Sequence, residues 1–275
     1  METAMRRIIF SAITLSLFAG SAFGSGAPGQ LRKDAGPVQP QSMAASYGAS
    51  SSDYSPASSP FGDREFNFKA TASFTSEYVF RGQQQAKHSV QGGVEISTGG
   101  LYAGAWAILP TEDMFNAYQT EIDVYGGYGF DLTERIYADV GVTGYLYNSP
   151  QLLFAKKDSI ETYVGFAFDT FLKPSLYGFY DFETKAKTVE TSLEYSLPLG
   201  RTDFLLGATG GYTSGRGYDY LYLQTDAEIV YNFNRQASVG VGGHWAISED
   251  HRFLNGLAFT GNDSTWYGIT LKARN

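Results

Sequence analysis

Phe66-Asn67-Phe68-Lys69-Ala70-Thr71-Ala72-Ser73-Phe74-Thr75 alternates apolar and polar residues without a break. That period of two sends Phe66, Phe68, Ala70, Ala72 and Phe74 to one face of a strand and the polar set to the other. The same alternation recurs over 90–96, 102–108, 118–124, 136–142, 160–168, 172–180, 189–197, 204–212, 221–231, 239–247 and 267–273. The pattern predicts about twelve strands, with ten or fourteen also compatible with errors of a few residues at each boundary. Pro110, Pro150 and Pro198 fall in the predicted gaps, where a missing amide donor does no harm, and Pro174 sits awkwardly near a strand start.

Connection lengths carry a second signal. The predicted links after the second, fourth, sixth, eighth and tenth strands are short (98–100, 129–134, 169–171, 198–202 and 232–236). Those after the fifth and eleventh are long (146–157 and 248–263), those after the first, third and ninth are intermediate, and that after the seventh is short. Outer-membrane barrels have short periplasmic turns, longer external loops, an even strand number and both termini inside. The expected fold class is therefore all-β, an antiparallel transmembrane β-barrel over residues 62–275.

The rival is a soluble sandwich or lipocalin-like barrel, which shows the same alternation with its faces exchanged. The chemistry of the polar face separates the two. It carries Glu77, Glu95, Glu121, Asp123, Asp139, Glu161, Asp181, Glu190, Glu194, Asp226 and Glu228, with Lys69, Arg81 and Lys272 as basic partners. In a membrane barrel these line the lumen. On the apolar face Tyr102, Tyr118, Tyr128, Tyr180, Tyr195, Tyr212, Tyr231, Trp245 and Tyr267 lie near strand ends, where interfacial girdles are expected.

Composition excludes several functional classes. Gly 32, Tyr 20 and Phe 20 with 17% charged residues is a poor mixture for helix surfaces. With Cys 0 there is no disulfide, thiolate metal site or cysteine nucleophile. A net charge of -8 argues against a nucleic-acid partner. Mean hydropathy of -0.21 fits a barrel in which only alternate residues face lipid.

Residues 1–24 begin with Arg6 and Arg7, continue with an apolar run from Ile8 to Ala19 and end on small residues. They read as a secretory signal peptide, the run being short for the roughly twenty residues of a membrane anchor. Residues 25–61 are rich in Ser, Pro and Ala and hold Pro28, Pro37, Pro40, Pro56 and Pro60. Such a stretch buries too little apolar surface to offset its ordering entropy and is expected to be a disordered linker.

Ser76-Glu77-Tyr78-Val79-Phe80-Arg81-Gly82, followed by Gln83–Gln85, resembles the start of a family of bacterial outer-membrane proteins known as TorF-like porins. Val90-Gln91-Gly92-Gly93, Leu101-Tyr102-Ala103-Gly104-Ala105-Trp106 and Glu121-Ile122-Asp123-Val124-Tyr125-Gly126-Gly127-Tyr128 extend the resemblance. It implies a barrel in the outer membrane of a Gram-negative bacterium, exported through the periplasm, with lipid, small solutes and the barrel-assembly machinery as partners. The chain departs from the family at Gln84, where members often carry Ser or Thr, and at Asn275, where outer-membrane barrels usually end on an aromatic residue.

Catalytic and metal signatures are weak. His88 and His251 fall in predicted loops, and His244 follows the lumenal parity with Ser238, Gly240 and Gly242. A nucleophile would need a serine within reach of that imidazole and an acid behind it, and no local motif supplies them. Glu249-Asp250-His251 reads as a solvated loop tip, and no cofactor or metal is expected. Arg81 shares the parity of Glu77 and is expected to be held among carboxylates, either as a rim salt bridge fixing the first loop or as a constriction contact. The expected function is a narrow, acidic-lined passive channel for small cationic or neutral solutes. Its constriction candidates are Glu77, Arg81, Glu121, Asp123, Asp139, Glu161, Asp181, Glu190, Glu194, Asp226 and Glu228. Inner-face Tyr125, Tyr137, Tyr145, Tyr163, Tyr177 and Phe179 would tighten the bore. The alternatives are a non-conducting structural or adhesive barrel and an outer-membrane lipid-acting enzyme.

Overall fold

The computed structural model describes residues 66–111, 120–148, 158–249, 253–255 and 258–275. The expected signal peptide and linker, Tyr118, Pro150, Asp250 and His251 lie outside the described residues. The strands are β1 (Asn67–Thr75), β2 (Tyr78–Phe80), β3 (Gln83–Ala86), β4 (Ser89–Thr98), β5 (Leu101–Pro110), β6 (Thr120–Thr133), β7 (Ile136–Asn148) and β8 (Ser159–Phe168). They continue with β9 (Ser175–Asp181), β10 (Lys187–Leu199), β11 (Thr202–Gly215), β12 (Tyr218–Asn232), β13 (Ala237–Ser248), β14 (Phe253–Asn255), β15 (Ala258–Gly261) and β16 (Asp263–Arg274). Twelve of them, β1, β4 to β13 and β16, form a closed antiparallel barrel, and each expected strand corresponds to one of these.

Closure is made by β1, which pairs with β4 on one side and with β16 on the other, from Lys69↔Arg274 to Thr75↔Gly268. At the end of this seam the Asn275 side chain accepts a hydrogen bond from Phe68 N (2.8 Å) and donates one to Phe66 O (2.9 Å). The side-chain amide thus adds one more rung to the β1–β16 ladder. Closure matters because an open sheet edge in hydrocarbon would leave backbone groups without partners.

The exposed and enclosed faces are inverted relative to a soluble barrel. Val164 on the outside is 48% exposed, while Asp123 on the inside is 0% exposed. Val94, Ile122, Val140, Leu206, Ile229 and Val241 share the outer face. The rings of Tyr128–Phe130, Phe171–Tyr195 and Tyr231–Phe233 pair near the short-turn end, as an interfacial girdle requires.

Three expectations are corrected. Tyr102, Gly104, Trp106 and Ile108 of β5 face inward, and Leu101, Ala103, Ala105, Ala107 and Leu109 face outward. Both sets are apolar, so alternation alone does not orient this strand, and the bulkier set is the one with a packing partner inside. The link after β11, expected to be intermediate, is tighter, at 216–217, because β11 and β12 stay paired out to Gly215↔Tyr218. Pro110 and Pro198 lie in the last rungs of β5 and β10 rather than in gaps, and Pro174 immediately precedes β9. At an end rung the missing amide costs little.

Turns 99–100, 134–135, 169–174, 200–201 and 233–236 lie at the end where β1 begins and β16 finishes. Gly99 and Gly100, at φ 55° and 88°, form one of the two-residue turns here, a left-handed pair matching the strand twist. The other end carries the link 76–88, in which β2 and β3 form a two-stranded sheet of their own, and the link 249–262, which holds β14 and β15. Both hairpins were expected as loops.

Candidate functional site

The lumenal wall is built by the inward parity of each strand. Glu121 and Asp123 on β6, Asp139 on β7, Glu161 on β8, Asp181 on β9, Glu190 and Glu194 on β10, and Asp226 and Glu228 on β12 all point inward and are buried. Lys69 on β1 lies 3.5 Å from Glu95 on β4, and Lys272 follows the inward parity of β16. Glu77 stands apart, just beyond β1, where its carboxylate accepts a hydrogen bond from Ser264 Oγ (2.6 Å).

Enclosed carboxylates need donors, since a buried charge left without partners is costly. Lumenal tyrosines supply them. Tyr102 OH donates to Asp139 (2.7 Å), Tyr145 OH to Glu161 (3.0 Å), Tyr125 OH to Glu95 (3.2 Å) and Tyr222 OH to Glu190 (2.5 Å). Tyr102 and Tyr222 were not expected here, although Tyr222 shares the inward parity of Asp226 and Glu228 and was legible on that basis. The rings of Tyr102, Tyr125, Tyr163 and Tyr222 lie over glycines of the neighbouring strand. A Cβ at Gly127, Gly141 or Gly211 would collide with Tyr102, Tyr163 or Tyr222 respectively.

Across this lumen runs the β2–β3 hairpin. Tyr78 packs with Trp106 and Ile108 of β5, and Val79 with Ala246 of β13, Phe253 and Trp266 of β16. Gln83 Nε2 donates to Tyr220 OH on β12. A Cβ on Gly82 would collide with Tyr222, so the backbone itself lies against that wall. Arg81 and Gly82, at φ 48° and 69°, form a two-residue left-handed turn at the tip. Left-handed backbone is uncommon for a residue with a side chain, and here it aims the Arg81 guanidinium at the far wall.

There Nη1 and Nη2 of Arg81 donate to the two oxygens of Glu161 at 2.7 and 2.9 Å, and the guanidinium stacks 4.2 Å from the Phe179 ring centroid on β9. Burial pulls the guanidinium's pKa down, but the Glu161 carboxylate outweighs it and holds Arg81 well above the usual arginine value. The expectation that carboxylates hold Arg81 is met in kind, with Glu161 in place of Glu77 as its partner.

His244 faces the lumen as its parity predicted. Its Nδ1 lies 2.7 Å from Asp226 Oδ1, and its ring stacks on Trp266 at 5.4 Å. Among the described residues no hydroxyl is hydrogen-bonded to its other nitrogen, and no group of three or more His, Cys, Asp or Glu is arranged to hold a metal ion.

A family profile described as "Bacterial protein of unknown function (Gcw_chp)" matches residues 57–246. The chain belongs to the Gcw_chp family. This Gcw_chp barrel is also similar to solved porins. The NanC porin shares 10% identity with a TM-score of 0.52, covering 75% of this chain and 98% of that one. The KdgM porin, alone and "in complex with disordered oligogalacturonate", shares 10% identity with a TM-score of 0.51 over the same shares of the two chains. At such identity the likeness is one of fold, and the fold is that of an outer-membrane porin. No curated protein matches the Gcw_chp chain.

Proposed function

We propose that this Gcw_chp protein is an outer-membrane channel through which small cationic or neutral solutes diffuse passively. The observation that carries the reading is charge placement. Glu121, Asp123, Asp139, Asp181, Glu190, Glu194, Asp226 and Glu228 are enclosed by a barrel whose outer face is apolar, against Lys69, Arg81 and Lys272 inside. Excess carboxylate on an enclosed path lowers the barrier for cations and raises it for anions. Arg81 and Glu161 lie where the hairpin narrows that path, and Glu77 lies at its loop-end entrance. The resemblance to TorF-like porins supports the same reading, and the proposal includes export through the periplasm on a signal peptide at 1–24, a linker at 25–61 and delivery by the barrel-assembly machinery. The lumen is read as a passage and not an active site, because Asp226 orients His244 but, among the described residues, no hydroxyl is hydrogen-bonded to its other ring nitrogen.

Planar-bilayer conductance of the refolded mature protein under a KCl gradient tests this. Discrete steps with a cation-selective reversal potential are expected. Silence from protein whose folding is verified by heat-sensitive gel migration overturns free diffusion. The hairpin crossing the bore favours, as a second reading, a non-conducting structural barrel whose loops and linker carry its role.

A further inference from the structure

The β2–β3 hairpin is built to move as one body. Its two strands are bonded to each other in a sheet separate from the barrel wall. Its stems leave the barrel from a single rung, because Thr75 at the end of β1 and Ser89 at the start of β4 are cross-strand partners. That neck is tied by a Thr75 Oγ1–Ser89 Oγ hydrogen bond (3.1 Å) and by Gln91 Nε2 donating to Thr75 Oγ1 (3.1 Å). Ser76 and His88 stay bonded to the barrel through Ser76 N to Tyr267 O (2.9 Å) and Thr111 N to His88 O (2.8 Å). A hairpin hinged beyond them can therefore swing with the strand pairing of the barrel kept, releasing only side-chain bonds such as Ser264 to Glu77 and Gln83 to Tyr220.

What holds the hairpin across the bore is made of side chains. Near the neck the contacts are apolar, Tyr78 on Trp106 and Val79 among Ala246 and Trp266. At the tip the contact is the bidentate Arg81–Glu161 pair. Such a pair releases in a way that apolar packing does not, since water admitted to the lumen rehydrates both charges as they part. The tip turn itself is the left-handed Arg81-Gly82 step, conformationally costly at Arg81, and a costly conformation retained at one point invites a functional reading.

We infer that the β2–β3 hairpin is a hinged plug that closes the lumen at rest and swings toward the long-loop end to admit solute, with Arg81–Glu161 as its latch. This rests on the channel reading above and adds a regulatory element to it.

The chain contains no cysteine, so a Val79→Cys/Ala246→Cys pair introduces its only thiols and ties the hairpin to β13. The oxidised pair is expected to be silent in bilayers and the same protein to show conductance steps once reduced, a comparison that keeps folding constant. Glu161→Gln, with no introduced thiols, is expected to raise the open probability about tenfold or more, the size of effect a hydrogen bond to a charged group has on an equilibrium. Equal conductance of the oxidised and reduced forms, or an open probability unchanged in Glu161→Gln, overturns the plug and leaves a fixed constriction in a working channel. A barrel with 78–86 replaced by a short Gly-Ser link separates the two readings. If it and the reduced pair are both silent while folded, the channel reading fails and the plug fails with it.

Discussion

Arg81 and Glu161 are 80 residues apart in sequence, and their side chains meet at 2.7 and 2.9 Å in the lumen, joining the link between the first two wall strands to the far side of the barrel. Both are buried, with side-chain exposures of 7% and 4%. Removing one partner of such a pair leaves an uncompensated charge and costs about 3–5 kcal/mol. Arg81→Ala is therefore expected to lower unfolding stability of the refolded barrel by that order, measured by urea titration in detergent. Adding Glu161→Ala to Arg81→Ala is expected to cost less than the sum of the two single effects. A strictly additive double-mutant cycle would show that the two side chains are not coupled.

Arg81→Lys keeps the formal charge and should still weaken the latch at alkaline pH. Glu161 holds the arginine well above its usual value, so its cation persists throughout the accessible range. A lysine begins at about 10.4, below arginine's starting value of about 12.5 or more, so beside the same carboxylate and at the same burial it loses its proton at lower pH. A cation stabilises below its pKa and its contribution is lost as pH rises through it, and lysine also cannot make the two parallel bonds. The stability difference between the native protein and Arg81→Lys should widen as pH rises from about 7 toward about 10. A difference that stays constant over that range would place the guanidinium's contribution in packing alone.

The wall of the barrel was legible in the sequence, whereas its contents were not. Strands such as β1 and β8 carry opposite chemistry on their two parities, so Phe68 or Val164 can face only lipid and Lys69 or Glu161 only the lumen. In β5 both parities are apolar, and only the three-dimensional contact of Trp106 with Tyr78 decides which set turns inward. The hairpin escaped for a different reason. Tyr78–Phe80 is too short, and Gln83–Ala86 both too short and too polar, to announce a strand, and the tip carries Arg in place of the Asn or Gly that such a turn favours. Asp226 and His244 are cross-strand partners, which sequence shows only once the β12–β13 register is known. Arg81 with Glu161 has no local signature at all.

The tyrosine-over-glycine packing of the lumen predicts a contrast between two glycines. Gly141 lies beneath the Tyr163 ring, while a Cβ at Gly178 meets nothing within 4 Å. Gly141→Val should displace Tyr163, which is hydrogen-bonded to Tyr102, and cost about 1–3 kcal/mol as an overpacked site. Gly178→Val on the outer face of β9 should be neutral or mildly stabilising, since a β-branched residue suits a strand. Denaturant midpoints of the two variants check this, and equal effects would contradict the packing described here.

Val164 supplies the test of what surrounds the barrel. It sits mid-strand on β8 between Val140 and Gly178, points outward and is 48% exposed. In a soluble barrel Val164→Arg would place a charge in water and cost little, because exposed substitutions usually change stability by less than about 0.5 kcal/mol. In an outer-membrane barrel the same arginine lies near the bilayer midplane and costs about 2–4 kcal/mol. A second arginine at Tyr267, near the loop end of β16, should cost less, since the penalty falls toward the interface. Folding free energies in lipid vesicles that rank Val164→Arg well below Tyr267→Arg fit strands that cross the membrane. Two small and equal effects would place this apolar face against something other than hydrocarbon.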